Sequence, residues 1–378
     1  MKNLLILCTI LLPALCCAQK KNKETRVFDL LIGTFTGASP TSSKGIYVYR
    51  FFEETGEVSY LSEIALKNPS YMAITNDYKY IYSVNENNND GPSTITSFKF
   101  DKATGKLSIL NTQPSIGSPA YIAVDKARRN VFIANYIGGS AMVFPVNKDG
   151  SLGASTQTIQ DTGKGPNPRR QAVPHAHAIV ISPDEKQVLF TDLGIDKINV
   201  FNYHPSEIPP LTPAVTPFIA VTPGSGPRHI EFSPNGKFMY NIQEISASIT
   251  AFTYHNGKAK EIQHLNMMSD DFNGTNGAAD IHVSPDGFFL YATNRGSANQ
   301  LLVYAINQKA GTLTFIERYP TGQMPRNFVI DPTGNFLFVG NAKGVIIFKV
   351  NKTTGRLTLT SDFIKMASPV CLKMVPIK

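Results

Sequence analysis

Tryptophan is absent from the 378 residues, which excludes the Trp-Asp repeats of the WD40 class. Adjacent glycines occur once, at Gly138-Gly139, and this scarcity argues against kelch repeats. Charged residues make up only 17% of the chain, whereas 28 glycines and 25 prolines provide many turn positions. This composition favours a turn-rich, all-β protein.

The first 18 residues have the composition of a signal peptide. Lys2 provides the positive charge, Leu4–Leu15 the apolar core, and Cys16-Cys17-Ala18 the small residues expected before a cleavage site. This core is too short to span a bilayer as a helix. We therefore predict a protein exported to the periplasm or secreted, with no membrane span. Lipid attachment at Cys16 or Cys17 is the alternative.

Cysteine is scarce, and three of the four cysteines lie in this predicted signal peptide. Its removal leaves Cys371 alone, so the mature chain cannot form an internal disulfide. The net charge is +8, and part of it is clustered in residues 19–26. No basic run interleaved with aromatic residues accompanies this stub, so we predict a solvated tail and no nucleic-acid partner.

A repeated unit dominates the rest of the chain, and its clearest copy is Gly226–Thr250. There, Ile230 and Phe232 alternate with polar residues as in a half-buried strand, and Ser233-Pro234-Asn235-Gly236 predicts a tight turn into a second strand, Lys237–Glu244. Seven positions align at spacings of 44 to 57 residues, and the residues three and five places after each are apolar in every copy. These positions are Pro69, Pro119, Ala176, Pro227, Ala278, Pro325 and Pro369.

Four antiparallel strands in each unit of this length are typical of a β-propeller blade. The chain begins at a second strand and ends on a lone first strand, Pro369–Val375. Pairing the two ends would close the ring and remove its open edges. An open β-solenoid is the alternative, but its terminal repeats are expected to be caps rather than complementary halves. We predict one all-β domain over residues 27–378, a seven-bladed propeller closed by its terminal strands.

Charged side chains recur at the start of the predicted first strands and at the end of the predicted second strands. Because these strands form a hairpin, these ends lie at the same edge of each blade, around one mouth of the channel. The residues placed there are His177, Arg228, Arg326, Glu86, Glu244 and Arg295. Ion pairs between blades are the alternative interpretation, but ion pairing alone does not require His177.

This set of side chains suits an anionic small molecule. Arginine matches a carboxylate or phosphate, and it also stabilises a developing oxyanion. His177 or Glu244 is then available to activate water or move a proton. Flanking arginines lower the pKa of Glu244 while burial raises it, and the sequence leaves that balance open. No metal or cofactor motif is present, and Asn87–Gly91 is interpreted as a loop rather than a calcium site.

Other polar residues of the repeat are interpreted as structural. Amides and carboxylates near the ends of second strands, such as Asn294, are mostly expected to satisfy local backbone groups. His229 and His282 lie within first strands and are predicted to be packed, hydrogen-bonded residues.

Several segments together form a specific pattern. They are Ile32-Gly33-Thr34-Phe35-Thr36, Gly165-Pro166-Asn167-Pro168-Arg169-Arg170-Gln171, Pro174-His175-Ala176-His177, Gly226-Pro227-Arg228-His229, Asn241-Ile242-Gln243-Glu244, Thr293-Asn294-Arg295-Gly296, Pro325-Arg326-Asn327-Phe328 and Asp331-Pro332-Thr333-Gly334. From about Leu30 onward the chain resembles the seven-bladed lactonase family, which includes propeller-type bacterial 6-phosphogluconolactonases and the fungal carboxy-muconate lactonizing enzyme.

The resemblance implies a catalytic His, Glu and two Arg, which correspond to His177, Glu244, Arg228 and Arg295. The further candidates for substrate binding are Glu86, Arg326, His175, Arg170 and Asn294. Family members often carry an acid after the Arg-Gln pair, where this chain has Ala172, so its substrate preference is expected to differ.

Three functions remain open from the sequence: a lactonase, a cycloisomerase acting on an unsaturated carboxylate, and a non-catalytic module that binds carbohydrate or protein. A binding module needs the arginines but not both His177 and Glu244, so we favour a lactonase.

A phosphorylated intermediate is not expected outside the cytoplasm. We therefore predict an unphosphorylated lactone or sugar-acid substrate, drawn in by Lys164, Arg169, Arg170 and Arg326. The sequence leaves the oligomeric state open.

Overall fold

The chain folds into seven four-stranded antiparallel sheets, the blades of a propeller, in a computed structural model that describes residues 26–39, 41–87 and 92–377. The predicted signal peptide, the basic stub apart from Arg26, and most of Asn87–Gly91 lie outside these residues. Within the described ranges every regular element is a strand, and no helix long and apolar enough to cross a membrane occurs.

The blades are numbered in chain order, and the strands of each blade run from the innermost to the outermost. Blade 1 comprises β28 (Pro369–Pro376), β1 (Val27–Thr34), β2 (Gly45–Phe52) and β3 (Val58–Ala65). Blade 2 comprises β4 (Tyr71–Ile74), β5 (Tyr80–Asn85), β6 (Thr94–Asp101) and β7 (Lys106–Pro114). Blade 3 comprises β8 (Pro119–Val124), β9 (Asn130–Asn135), β10 (Ser140–Pro145) and β11 (Gln157–Gln160).

The remaining blades have the same order. Blade 4 comprises β12 (Ala176–Ile181), β13 (Gln187–Asp192), β14 (Lys197–Tyr203) and β15 (Leu211–Ala220). Blade 5 comprises β16 (Pro227–Phe232), β17 (Phe238–Gln243), β18 (Ser248–His255) and β19 (Lys258–Asn266). Blade 6 comprises β20 (Ala278–Val283), β21 (Phe289–Asn294), β22 (Gln300–Ile306) and β23 (Leu313–Pro320). Blade 7 comprises β24 (Asn327–Ile330), β25 (Phe336–Asn341), β26 (Gly344–Val350) and β27 (Leu357–Lys365).

The ring closes as the sequence predicts, because β28 pairs antiparallel with β1. Ile32 lies opposite Leu372 and Leu30 opposite Met374 in this pair. Leu30, Ile32 and Leu372 are all buried between blades 1 and 7. The seven-bladed, end-paired propeller is therefore confirmed, and the open solenoid is excluded.

The local predictions for the clearest repeat hold with small changes at the strand ends. Gly236 donates its N–H to the carbonyl of Ser233 at 2.8 Å and has φ +69°, as the predicted turn requires. The second strand, predicted as Lys237–Glu244, is observed as Phe238–Gln243. Glu244 therefore lies just beyond the strand, where side chains no longer have to point alternately to the two faces of the sheet.

Neighbouring blades are joined by a recurring aromatic contact. The hydroxyls of Tyr82, Tyr240 and Tyr291 each donate to a glycine carbonyl in the next blade at 3.0–3.1 Å. One of these acceptors, Gly311, has φ +73°, and a Cβ there would lie 2.2 Å from the Phe238 ring. Glycine is therefore required both by the backbone and by the close approach of the adjacent blade.

A β-bulge recurs in the innermost strands and determines what faces the channel. In β16 the pairing passes from Pro227–Gln243 to His229–Ile242, so Arg228 is the extra residue. The same shift occurs at Ala120 in β8 and His177 in β12. A bulge re-aims side chains, and two of these bulge residues, Ala120 and His177, line the cavity described below, whereas Arg228 does not.

Candidate active site

Glu244 is the centre of a cluster of three arginines at one mouth of the channel. Its Oε2 accepts from Arg228 Nε at 3.0 Å and lies 2.8 Å from Arg295 Nη2. Its Oε1 accepts from Arg170 Nη2 at 2.5 Å. The backbone fixes this position, because the N–H of Glu244 donates to the carbonyl of Gly226 at 2.8 Å. One buried carboxylate thus holds arginines from blade 5, from blade 6 and from the loop between blades 3 and 4.

The arginines decide the charge of Glu244. Burial alone would raise the pKa of this carboxyl, but Arg295, Arg228 and Arg170 together lower it far below its usual 4.5. The charged state therefore persists throughout the neutral range. The balance that the sequence leaves open, between burial and the flanking arginines, therefore falls on the side of the arginines, and a carboxylate with so low a pKa is a weak base.

A cavity of about 250 Å³ opens beside this cluster. It is lined by Glu86, Ala120, Tyr136, Ile137, His177, Glu244, Arg295 and Arg326. These residues come from blades 2 to 7, so nearly the whole ring contributes to one concavity. The predicted mouth residues lie together here, with the exception of Arg228.

His177 is the basic group of the cavity. Its side chain is 4% exposed, and its Nδ1 has no hydrogen-bond partner in the described structure. Burial first, then the positive charge of Arg228, lower the pKa of His177 well below its usual 6.5. The imidazole is therefore neutral at physiological pH and retains a lone pair for a proton.

A second ion pair lies on the opposite side of the cavity. Arg326 Nη2 donates to Glu86 Oε2 at 3.2 Å, and the Arg326 guanidinium lies 5.1 Å from the Phe35 ring centre. Glu86 belongs to blade 2 and Arg326 to blade 7, so this pair spans the mouth across blade 1. Four arginines against two glutamates leave the site with a net positive charge, which suits an anionic ligand.

The loop between β11 and β12 delivers Arg170 to the cluster. The side chain of Asn167 accepts from the N–H groups of Arg169 and Arg170 at 3.1 and 3.2 Å. The amide of Gln171, which is fully buried, donates to the carbonyl of Leu193 at 2.9 Å. These bonds fix the loop, so Arg170 reaches Glu244 from an ordered segment.

Tyr136 is a site residue that the sequence reasoning missed. Its ring stacks on His175 at 4.5 Å and meets His177 edge-on at 5.5 Å, and its hydroxyl accepts from Arg170 Nη2 at 3.4 Å. A signal was available, because Tyr136 occupies the same strand-end position in its repeat as Glu86 and Glu244.

Four of the predicted site residues do not line the cavity. Arg228 is 1% exposed and lies behind Glu244, whereas Arg170 contacts Glu244 from the rim. His175 lies under the Tyr136 ring, with its Nδ1 3.1 Å from the Tyr136 carbonyl oxygen. Asn294 is fully buried and is used locally, since its Oδ1 accepts from the Gly277 N–H at 2.9 Å. Each of these four side chains is used by a neighbouring protein group instead: Glu244 for Arg228 and Arg170, the Tyr136 carbonyl for His175 and the Gly277 N–H for Asn294.

Residues 26–39, 41–87 and 92–377 contain no group of three or more His, Cys, Asp or Glu side chains placed to hold a metal ion.

Seven blades with an arginine-containing cavity at one channel mouth define a propeller with a candidate small-molecule site. The family model described as Lactonase, 7-bladed beta-propeller matches residues 29–374, and the chain belongs to this family. The predicted family resemblance is thus confirmed.

Three similar proteins illustrate the relationship. A Bacillus subtilis protein named 6-phosphogluconolactonase is 37% identical over 351 residues, which cover 91% of this chain and 97% of that protein. A solved structure from Bacteroides fragilis is 40% identical, with a TM-score of 0.88 over 94% of this chain and 99% of the other. The periplasmic gluconolactonase of Pseudomonas aeruginosa is 34% identical, with a TM-score of 0.88 over 93% of this chain and 100% of that chain.

Proposed function

We propose that this protein is a lactonase that hydrolyses a sugar-acid lactone. The observation that carries the proposal is His177, a neutral imidazole with an unpartnered Nδ1, lining the same cavity as Arg295 and Arg326. A proton acceptor beside cationic groups is the arrangement that hydrolysis of an activated carbonyl requires. Membership of the lactonase family and the names of the relatives from Bacillus subtilis and Pseudomonas aeruginosa support it.

In the proposed reaction, His177 accepts a proton from a water molecule as the water oxygen attacks the lactone carbonyl. Arg295 and Arg326 stabilise the negative charge that develops on the carbonyl oxygen. Cleavage of the bond between the acyl carbon and the ring oxygen then opens the ring. The imidazolium returns its proton to the departing alkoxide, and the product is a hydroxy acid, bound as its carboxylate by the same arginines.

Glu244 has an organising role in this scheme. It binds Arg295 and Arg170 through different oxygens, so it fixes the spacing between a cation of the cavity wall and a cation of the rim. Burial first, and then the repulsion between an imidazolium and the arginine charges, lower the pKa of His177 and keep the ring neutral. The two residues that the sequence offers for proton transfer thus have different roles in this scheme: His177 moves the proton, and Glu244 holds the arginines.

We further propose that the substrate is an unphosphorylated lactone and that the protein acts after export. The signal-peptide pattern of residues 1–18 supports this assignment. So does the likeness to a periplasmic gluconolactonase. The charged loop residues Lys164 and Arg169 are exposed, and their positive charge attracts anions in general without selecting for phosphate.

Two measurements test the proposal. Purified protein is assayed against a panel of lactones in a pH-stat, and acid release that saturates with a sugar-acid lactone is expected. No release from any lactone would overturn the assignment as a lactonase. kcat/KM is then compared for gluconolactone and its 6-phospho form. A preference above about 10-fold for the phosphate, roughly 1.4 kcal/mol of transition-state binding, would contradict the proposed substrate.

A further inference from the structure

A second layer of buried polar side chains, from blades 5, 6 and 7, lies next to Arg228. His229 of β16 lies directly behind Arg228, with its Nε2 3.1 Å from Arg228 Nη1. Its Nδ1 lies 2.7 Å from Oδ1 of Asp280 in β20. The proposed reaction makes no use of this layer, although His229 and Asp280 are both buried.

The proton on His229 can be assigned from its partners. A guanidinium has only donors, so the bond from Arg228 requires an unprotonated Nε2. The remaining proton of the neutral ring is then on Nδ1 and is donated to Asp280. Burial and the charge of Arg228 also lower the pKa of His229 to about 3, which agrees with a neutral ring. His229 is therefore a fixed tautomer that accepts from an arginine.

Asp280 anchors this tautomer across several blades. Besides His229, its carboxylate accepts from the side chain of Asn327 and from the N–H of Phe328 in blade 7, at 2.5 and 3.1 Å. His282 Nε2 approaches its Oδ2 at 3.1 Å, and His282 in turn lies 3.4 Å from Glu231. Asp280 is thus held from three sides, so its position does not depend on His229.

We propose that His229 is a positioning residue that acts through Arg228, and that Asp280 sets its tautomer. The contacts form a continuous path from Asp280 to His229, to Arg228, to Glu244, and so to Arg295 at the cavity. Glu244 Oε2 is shared by Arg228 and Arg295, so a displaced Arg228 releases one side of the carboxylate that places Arg295. The inference rests on the proposed function, because its kinetic consequence requires that Arg295 acts on the substrate.

Simple packing is the competing explanation for His229. Its ring contacts those of Tyr121, His177 and Tyr71 at centre-to-centre distances of 5.2, 5.3 and 5.8 Å. If packing were its only role, another ring of similar size would serve equally well. H229F keeps a ring and removes both nitrogens, whereas H229Q loses the ring and keeps a side-chain carbonyl that can accept from Arg228. The two roles therefore predict opposite orders of activity.

Kinetics of these variants give the first test. We expect kcat/KM to fall by about 10-fold or more in H229F and by less in H229Q, because an acceptor for Arg228 remains. C371A is the matched control: Cys371 is buried and occupies the same position in its repeat, and the variant should stay within about twofold of the wild type. H229F as active as wild type, or H229Q worse than H229F, would overturn the proposal.

A double-mutant cycle decides whether His229 acts through Arg228. If it does, the loss in kcat/KM of H229F combined with R228K should be clearly smaller than the product of the two single losses, because H229F already removes the acceptor for Arg228. Losses that multiply would refute action through Arg228. If H229F does not fold, H229L, which also removes both ring nitrogens, takes its place in the cycle.

The tautomer is tested without any activity assay. In the ¹⁵N NMR spectrum of the wild-type protein at neutral pH, the signals that disappear in H229Q should show a neutral ring protonated on Nδ1. A ring protonated on Nε2, or an imidazolium, would refute the inference. The spectrum is independent of catalysis, so failure of the proposed lactonase activity and failure of this inference can be told apart.

Discussion

Replacing Glu244 by glutamine removes the one negative charge that three arginines share. The side chain is 9% exposed, and two of its partners, Arg228 and Arg295, are 1% and 12% exposed. Removing one partner of a buried ion pair typically costs about 3–5 kcal/mol, because the remaining charge is left uncompensated. We expect the lower end for E244Q, about 3 kcal/mol, since the amide still accepts one hydrogen bond and Arg170 is 41% exposed.

The expected change is measurable by thermal unfolding. At about 2 cal/mol/K per residue, 3 kcal/mol corresponds to a fall in Tm of about 4 °C for a chain of this length. E86Q is the matched control, because Glu86 binds one arginine at 3.2 Å rather than three. Its Tm should fall by less than half as much.

The loss of stability in E244Q should depend on pH. The pKa of Glu244 is lowered on folding, so the carboxylate stabilises the folded state fully above its ordinary pKa of 4.5, and this contribution is lost as pH falls below it. The Tm difference between wild type and E244Q should therefore be large at pH 7 and shrink below about pH 4. An unchanged Tm at pH 7, or a difference independent of pH, would refute this account of the cluster.

Three further predictions concern the proposed base, the blade contacts and the ring closure. H177Q should lower kcat/KM by about 10²–10⁴ with an unchanged Tm. The activity of the wild type should stay level as pH falls through 6.5, because the reaction needs the neutral imidazole and burial lowers the pKa of His177. Retained activity in H177Q would exclude His177 as the base. G311A should lower Tm, because the φ of +73° at Gly311 disfavours a side chain and the Phe238 ring leaves no room for a Cβ. G277A is the control and should change Tm little, since the nearest atom to a Cβ at Gly277 lies 3.6 Å away. Equal Tm values for these two variants would contradict the close approach of the blades. Deleting residues 369–378 removes the innermost strand of blade 1 and should abolish cooperative unfolding; an unchanged melting curve would contradict ring closure.

Much of the architecture is encoded locally and could be predicted. The repeat anchored at residues such as Pro227, with apolar residues at fixed offsets, specifies hairpins, and hairpin geometry places strand ends at a common edge. The incomplete first and last units, at β1 and β28, predict closure because each supplies the strand that the other lacks. The location of His177, Glu244 and Arg295 at one mouth follows from the same regularity.

Local pattern thus specifies the blade count, the ring closure and most of the residues that reach the mouth, whereas the role of each side chain there depends on the assembled ring. Arg228 is buried with its Nε on Glu244, whereas His177 at the equivalent bulge lines the cavity, and Arg170 meets Glu244 across 74 residues of chain. The pKa of Glu244 falls only because arginines from separate elements converge on it. Periodicity fixes the face on which a residue lies, but pairing and charge state depend on distances between blades, which no local pattern contains.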